Sequence, residues 1–318
     1  NRDTIDTGEG NNVVFGDHGS IDFVAADGNS GDIDLIETID ADIGGNDHIT
    51  AGSGNDIIVA GEDGEFVRND VWTSPIEISR TVDADVSDAD WVHAGAGNNM
   101  VFGDNGRVVG AVENSNRFFT TTGLTGLNIT MTLGLAETLE SLIGGSDTIT
   151  TGIGNDFVFG GIDGDTIVAG NGNNVVLGDS GYIDWTAAAD IGRFYAATPY
   201  AAGTLSGDDR IATDIDRIFS TAPDHGGNDT ITTGDGNDII IGGEDGEIVI
   251  DVIIGVASDV ARTVAAAASD GDTIDAGQGN NIVFGDNGRI TAARQDAVNF
   301  AGLPITLGLV ETIESLIG

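Results

Sequence analysis

Acidic and amide side chains fall nine residues apart at Asp147, Asp156, Asp165 and Asn174, inside the stretch "DTITTGIGNDFVFGGIDGDTIVAGNGNNVV". Glycines precede each of them. A carboxylate only accepts, and a glycine-rich turn lets backbone carbonyls come close, so the combination gathers oxygen atoms and negative charge at a fixed interval. The same register recurs at Asp3 and Asn12, Asp47 and Asp56, Asp90 and Asn99, Asp229 and Asp238, and Asp272 and Asn281. Fourteen nonapeptides result, four in the block from Asp147 and two in each of five others.

Taken alternately, these positions form two columns. One is acidic in seven of seven: Asp3, Asp47, Asp90, Asp147, Asp165, Asp229 and Asp272. The other alternates as Asn12, Asp56, Asn99, Asp156, Asn174, Asp238 and Asn281. Asp and Asn are ordinary turn formers that bond their own backbone, but turn formation alone does not demand a carboxylate in every copy. The turns leading into the first column alternate too. They read "GEDG" at 61–64 and 243–246 and "GIDG" at 161–164, against "GDHG", "GDNG", "GDSG" and "GDNG" from 16, 103, 178 and 285. That adds Asp63, Asp163, Asp245, Asp17, Asp104, Asp179 and Asp286 as secondary ligand candidates, the set in which plain turn chemistry competes hardest.

The elements that must position these residues are short. Each nonapeptide reads as a turn followed by a strand of three or four residues with a branched apolar residue at its centre, Ile149, Val158, Ile167 or Val176, which points inward while its neighbours point out. Two strands and two turns close a coil in 18 residues, and stacked coils make two parallel sheets. Seven coils at a strand spacing of about 4.8 Å span roughly 30–35 Å. One sheet has polar outward residues, such as Thr4 and Asp6, His48 and Thr50, Thr148 and Thr150, Thr230 and Thr232. The other is apolar on both faces, as in Ile57-Ile58-Val59, Met100-Val101-Phe102, Phe157-Val158-Phe159 and Ile239-Ile240-Ile241, which implies that both faces are covered.

Segments that interrupt the coils are the expected cover. They fall at approximately 24–43, 68–86, 109–143, 186–225, 250–268 and 291–318, and they repeat: "ISRTV" at 78–82 matches "VARTV" at 260–264, and "ETLESLIG" at 137–144 matches "ETIESLIG" at 311–318. Repeating inserts on one edge of a solenoid stack into a second layer. The alternative is another molecule on an exposed lateral stripe. A larger repeat overlies the small one. Residues 44–67 return at 226–249, an offset of 182, and 133–145 at 307–318, an offset of 174, so residues 1–318 read as one continuous solenoid segment holding about 1.8 copies. Met occurs only at 100 and 131, and Asn1 reads as an internal position of a longer chain.

Composition narrows the function. Asp and Glu number 53 against 11 Lys and Arg, all of them Arg, for a net charge of −42. Such a surface repels nucleic acid and anionic lipid and favours cations. There is no Cys, no basic-then-apolar leader and no apolar run long enough for a membrane span. No HExxH, GxSxG or P-loop is present, the four His at 18, 48, 93 and 225 share no ligand spacing, and carboxylates at every coil argue for a lattice over one acid–base pair, so no enzyme activity is expected. "NIT" at 128–130 and "NDT" at 228–230 match the glycosylation pattern, and neither is expected to be used.

"TGIGNDFVF", "TGDGNDIII" and "AGSGNDIIV" resemble the G-G-x-G-x-D-x-U-x nonapeptide of RTX (haemolysin-type) calcium-binding proteins. The resemblance implies an all-β fold, a right-handed parallel β-roll or β-helix solenoid of 18-residue coils, with the inserted segments forming a second layer. It implies multiple Ca²⁺ ions between successive coils, held by turn carbonyls and the column carboxylates. The second column departs from the family pattern, since each interval there pairs one carboxylate with one amide, and lower charge and affinity are expected at it. It implies folding coupled to Ca²⁺ outside the cell, hence an extracellular or bacterial cell-surface location. The function expected is a calcium-stabilised structural repeat module of a surface adhesin, filament or surface layer, with copies of itself as partners through lateral or end-to-end assembly. The alternatives are a glycan- or ice-binding module, or an RTX secretion and folding module of a larger toxin or enzyme. Ice binding would want a threonine rank on the turn, which instead reads Glu9, Ser53, Ala96, Ile153, Asn171, Asp235 and Gln278.

Overall fold

β-Branched residues separated by glycine every few positions can sustain strands of only three to six residues, and that is what a computed structural model of the chain contains. The structure describes residues 2–25, 30–62, 89–111, 131–185, 214–222, 225–244, 248–251, 261–264, 271–293, 300 and 302–313, and all regular structure among them is β. The first coil supplies β1 (Thr4–Gly8), β2 (Val13–Phe15) and β3 (Gly19–Asp22), and β4 (Leu35–Thr38) follows it. Next come β5 (His48–Ala51) and β6 (Ile57–Val59), then β7 (Trp91–Gly95), β8 (Met100–Phe102), β9 (Gly106–Gly110) and β10 (Leu133–Thr138). The uninterrupted block holds β11 (Thr148–Thr151), β12 (Phe157–Gly161), β13 (Thr166–Ala169) and β14 (Val175–Asp179), followed by β15 (Gly181–Asp184) and β16 (Arg217–Ser220). The sixth coil has β17 (Thr230–Thr233) and β18 (Ile239–Ile241), then a hairpin of β19 (Ile248–Asp251) and β20 (Ala261–Val264). The seventh has β21 (Thr273–Asp275), β22 (Ile282–Phe284), β23 (Gly288–Ala292) and β24 (Leu307–Thr312).

Two seven-stranded parallel sheets run through the coils, β1-β5-β7-β11-β13-β17-β21 and β2-β6-β8-β12-β14-β18-β22. Their registers place one inward file along each sheet. The first is Ile5, Ile49, Val92, Ile149, Ile167, Ile231 and Ile274. The second is Val14, Ile58, Val101, Val158, Val176, Ile240 and Val283. Most of these, with a few alanines, form a core of small branched residues between the sheets. Thr148 pairs with Thr166, 18 residues on, whereas the other coils pair across longer separations because excursions intervene.

The outer face of the second parallel sheet packs on an eight-stranded antiparallel sheet, β24-β23-β16-β15-β10-β9-β4-β3. This contact is the larger core: Met100, Phe102, Phe159, Leu177 and Ile241 meet Ile36, Val108, Ile183, Ile218 and Ile290. Phe102 and Phe159 stack with centroids 4.5 Å apart, and Phe157 meets Trp185 edge-on at 5.4 Å. Each such side chain withdrawn from water contributes about 1.5–3 kcal/mol. The first strand of each hairpin starts at Gly19, Gly106, Gly181 or Gly288, ahead of the insert starts read at 24, 109, 186 and 291. These glycines sit against Phe15, Phe102, Leu177 and Phe284, where any Cβ would collide with the side chain. The strand therefore begins directly after the GDxG turn. The segment read at 68–86 lies outside the described residues, as do 112–130, 186–213 and most of 250–268.

Candidate metal centre

The seven first-column carboxylates stand at one edge of the coils, just ahead of the strands of the first parallel sheet. Each from Asp47 onward reaches back one coil. Asp3 N donates to Asp47 Oδ1 at 2.8 Å, Asp47 N to Asp90 Oδ1, Asp90 N to Asp147 Oδ1 at 2.9 Å, and Asp147 N to Asp165 Oδ1 at 2.7 Å. Asp165 N and Asp229 N continue the ladder to Asp229 Oδ1 and Asp272 Oδ1, both at 2.8 Å. One oxygen of each acceptor carboxylate thus replaces the backbone acceptor that a bare turn lacks. The other is a different matter. Oδ2 of Asp47 and of Asp165 is buried with no hydrogen-bond partner, close against the backbone of Gly16 and Gly160 and next to the carbonyls of Ala60 and Gly178. Burial pushes the Asp165 carboxyl well above the usual carboxylate range, and the charges of Asp147 and Asp229 above and below it push the same way. Asp47 is raised for the same first reason.

The secondary carboxylates in the GDxG turns are engaged with backbone amides of the following coil. Asp104 Oδ1 accepts from Gly145 N at 3.0 Å and its Oδ2 from Ile162 N at 2.7 Å. Asp179 does the same with Gly227 N and Glu244 N, and Asp17 Oδ2 accepts from Glu62 N at 3.0 Å. Each therefore brackets both ends of an even-numbered coil, where the chain enters from one hairpin and leaves again. Burial, then repulsion from Asp47, raises Asp17 to about 7. Burial and the charge of Asp229 raise Asp179. Asp163 occupies a left-handed backbone conformation with φ 65°, which Asp tolerates, and burial raises its carboxyl. Asp286 is half-buried in the seventh coil. Asp63 and Asp245 lie outside the described residues.

The second column forms its own ladder on the opposite edge. Asn12 N donates to Asp56 Oδ1 at 2.8 Å, Asp56 N to Asn99 Oδ1 at 3.1 Å, and Asn99 N to Asp156 Oδ1 at 2.8 Å. Asp156 N, Asn174 N and Asp238 N carry it to Asn174, Asp238 and Asn281 at 3.0, 2.8 and 2.8 Å. Oδ2 of Asp56 is buried without a partner, while Oδ2 of Asp156 and of Asp238 accept from the hydroxyls of Thr151 and Thr233. Burial raises Asp56 and Asp156 to about 6.

A third ladder escaped the sequence reading. Asn55 N, Asn98 N, Asn155 N, Asn173 N, Asn237 N and Asn280 N donate to the side-chain oxygens of Asn11, Asn55, Asn98, Asn155, Asn173 and Asn237, at 2.8–2.9 Å. The signal was present: the residue before the second column is Asn in seven of seven coils, whereas before the first column it is Arg2, Asn46, Ala89, Ser146, Gly164, Asn228 and Gly271.

These groups fit a hard cation. Unpartnered buried carboxylate oxygens beside turn carbonyls offer oxygen donors and a negative field, the donor set that Ca²⁺ takes. Among the described residues no three His, Asp or Glu side chains converge on one point, so carbonyl oxygens would have to complete any ion's shell. The same residues show no helix long and apolar enough to cross a membrane. A family model described as RTX calcium-binding nonapeptide repeat (4 copies) matches six segments of the chain, residues 1–20, 44–64, 87–107, 143–176, 225–246 and 267–289. The matched segments are the turn-and-strand coils, and they leave out the hairpin return strands. No curated protein and no solved structure matches the chain.

Proposed function

Taking as premise that the chain carries RTX calcium-binding nonapeptide repeats, we propose that it is a calcium-stabilised structural module of a secreted bacterial surface adhesin, filament or surface layer. The observation that carries this reading is the first-column ladder, in which buried, mutually repelling carboxylates are stacked one per coil with an oxygen of Asp47 and of Asp165 left unpartnered. A small Ile/Val/Ala core cannot offset that repulsion, so the folded state depends on a cation that compensates it. First-column Asp residues and the second-column Asp56, Asp156 and Asp238 would hold the ions, with turn carbonyls completing the shell. Bound Ca²⁺ supplies positive charge between coils, while this chain's own groups supply the register.

On this reading residues 1–318 are one right-handed solenoid segment whose inserts form its covering layer. It performs no catalysis, it folds where Ca²⁺ is abundant outside the cell, and it meets further copies of itself side by side or end to end. Circular dichroism in chelator should show loss of β-structure, restored by millimolar Ca²⁺. Retention of the β-signal in chelator at low salt would defeat the reading.

A second reading, ligand binding at the first sheet, has one observation in its favour. The outer face sets Thr148, Thr166, Thr230 and Thr273 in one file, with half-exposed Trp91 stacked on His48 at 4.0 Å in the same file. Glycan or ice affinity lost on changing Thr166 and Trp91 would establish it.

A further inference from the structure

The two kinds of residue in the second column build two different turns. In the Asn coils the side-chain amide is turned back into its own turn. Asn174 Nδ2 donates to the carbonyls of Ala169, Gly170 and Gly172 at 2.8, 3.4 and 3.3 Å, and Asn99 Nδ2 to those of Gly95 and Gly97 at 3.3 and 3.2 Å. Asn12 Nδ2 reaches Gly10 O at 2.8 Å and Asn281 Nδ2 reaches Ala276 O at 2.6 Å. At Asn99, Asn174 and Asn281 the amide orientation follows from the ladder, because Asp56 N, Asp156 N and Asp238 N each need the Asn oxygen as acceptor, which leaves the nitrogen facing the turn. Asn12, in the first coil, shares its nitrogen between Gly10 O and Asp56 Oδ1.

The backbone reports the same division independently. The first glycine of each Asn turn is left-handed, with φ of 67° at Gly8, 76° at Gly95, 34° at Gly170 and 58° at Gly277. The corresponding Gly52, Gly152 and Gly234 of the Asp turns are not.

A carboxylate cannot donate to those carbonyls. Asp56 is fully buried, its Oδ1 accepts from both the backbone and side-chain nitrogens of Asn12, and its Oδ2 has no partner. The Asp56 turn therefore concentrates acceptors and negative charge with no donor at Oδ2, and the Asp156 and Asp238 turns offer only the neutral hydroxyls of Thr151 and Thr233 there, which leave the carboxylate charge in place. An Asn turn, by contrast, is neutral and carries on the chain an N–H donor to its own carbonyls.

We infer that on this edge the amide of each Asn does the work of a cation, so that Ca²⁺ is taken only at the turns of Asp56, Asp156 and Asp238, while the turns of Asn12, Asn99, Asn174 and Asn281 close without one. The inference rests on the proposed calcium-binding role and specifies where on the second edge it operates. It also changes what the alternation is for: every ion-dependent turn on this edge is laid between turns that hold their shape without an ion.

Native mass spectrometry of the full chain in Ca²⁺ counts the ions directly. Asp56→Asn is expected to bind one ion fewer than the unaltered chain and to keep more β-structure in chelator. Asn174→Asp is expected to bind one ion more and to unfold at a lower temperature in chelator. A folded Asp56→Asn chain with an unchanged count overturns the inference, and so does a folded Asn174→Asp chain with an unchanged count. If Asn174→Asp does not fold even in Ca²⁺, the Asp56→Asn count decides. An unaltered chain that binds no Ca²⁺ at all overturns the calcium reading itself and the inference with it. Unchanged counts on a calcium-loaded chain overturn the inference alone.

Discussion

The two edges of the coil use the same device, a side-chain oxygen accepting the backbone amide of the preceding coil, to different ends. On the first edge the residue is Asp in seven of seven coils, the chain enters from hairpins, and GDxG carboxylates brace the crossing points. On the second edge the chain passes directly from strand to strand, Asn alternates with Asp, and an outer Asn ladder runs alongside. Charge has been kept where the backbone is most interrupted and diluted where it is continuous. What this teaches is that one hydrogen-bond ladder sets the register on both edges, and the choice between oxygen and nitrogen at the second side-chain atom decides how much each coil depends on ions.

The largest effect expected is from Asp165→Ala on the first edge. It removes the acceptor of Asp147 N and a buried anion, and should cost about 4 kcal/mol in Ca²⁺ by denaturant unfolding, because loss of one partner leaves the other charges uncompensated. A cost no greater in Ca²⁺ than in chelator would mean that this edge is only a hydrogen-bond ladder. Gly178→Ala should follow at about 2–3 kcal/mol, since a methyl there runs into Asp229 Oδ2 and the carbonyl of Gly242. Tolerance of alanine would show that the carboxylate is not packed as tightly as the comparison requires.

The pH dependence is third. Folding raises Asp17 to about 7 and Asp56 and Asp156 to about 6, from an ordinary value of 3.8. A raised acid contributes stability that is complete below the unfolded value and is lost as pH climbs through the folded one. In chelator the melting temperature should therefore rise as pH falls from 7.5 to 5, and a fall over that window would contradict the burial described for both edges. Asn237→Ala is the smallest change. It removes the half-buried acceptor of Asn280 N and Nδ2 and a donor to Asn173 Oδ1, and should cost about 1 kcal/mol in Ca²⁺ and in chelator alike.

The nine-residue period and the two columns made the parallel sheets legible, because the central Ile or Val of each nonapeptide can face only one side of so short a strand. The antiparallel sheet was not. Strands such as Gly106–Gly110 and Leu133–Thr138 pair across long separations, and the sequence marks only the turn before them. The carboxylates of Asp104 and Asp179 were legible as important but not as brackets, since an Asp that accepts two backbone amides and an Asp that faces an ion look alike in a GDxG turn. The outer Asn ladder was not legible as a ladder, because Asn beside Gly reads equally well as plain turn chemistry. An uncharged residue in every coil was as regular a signal.

The bracketing carboxylates also decide how the rod would answer tension. Asp17, Asp104 and Asp179 tie coil one to two, three to four and five to six. Each tie crosses the seam at which an excursion leaves the stack, so a pull along the axis would load a carboxylate as well as the strand ladder at those three seams.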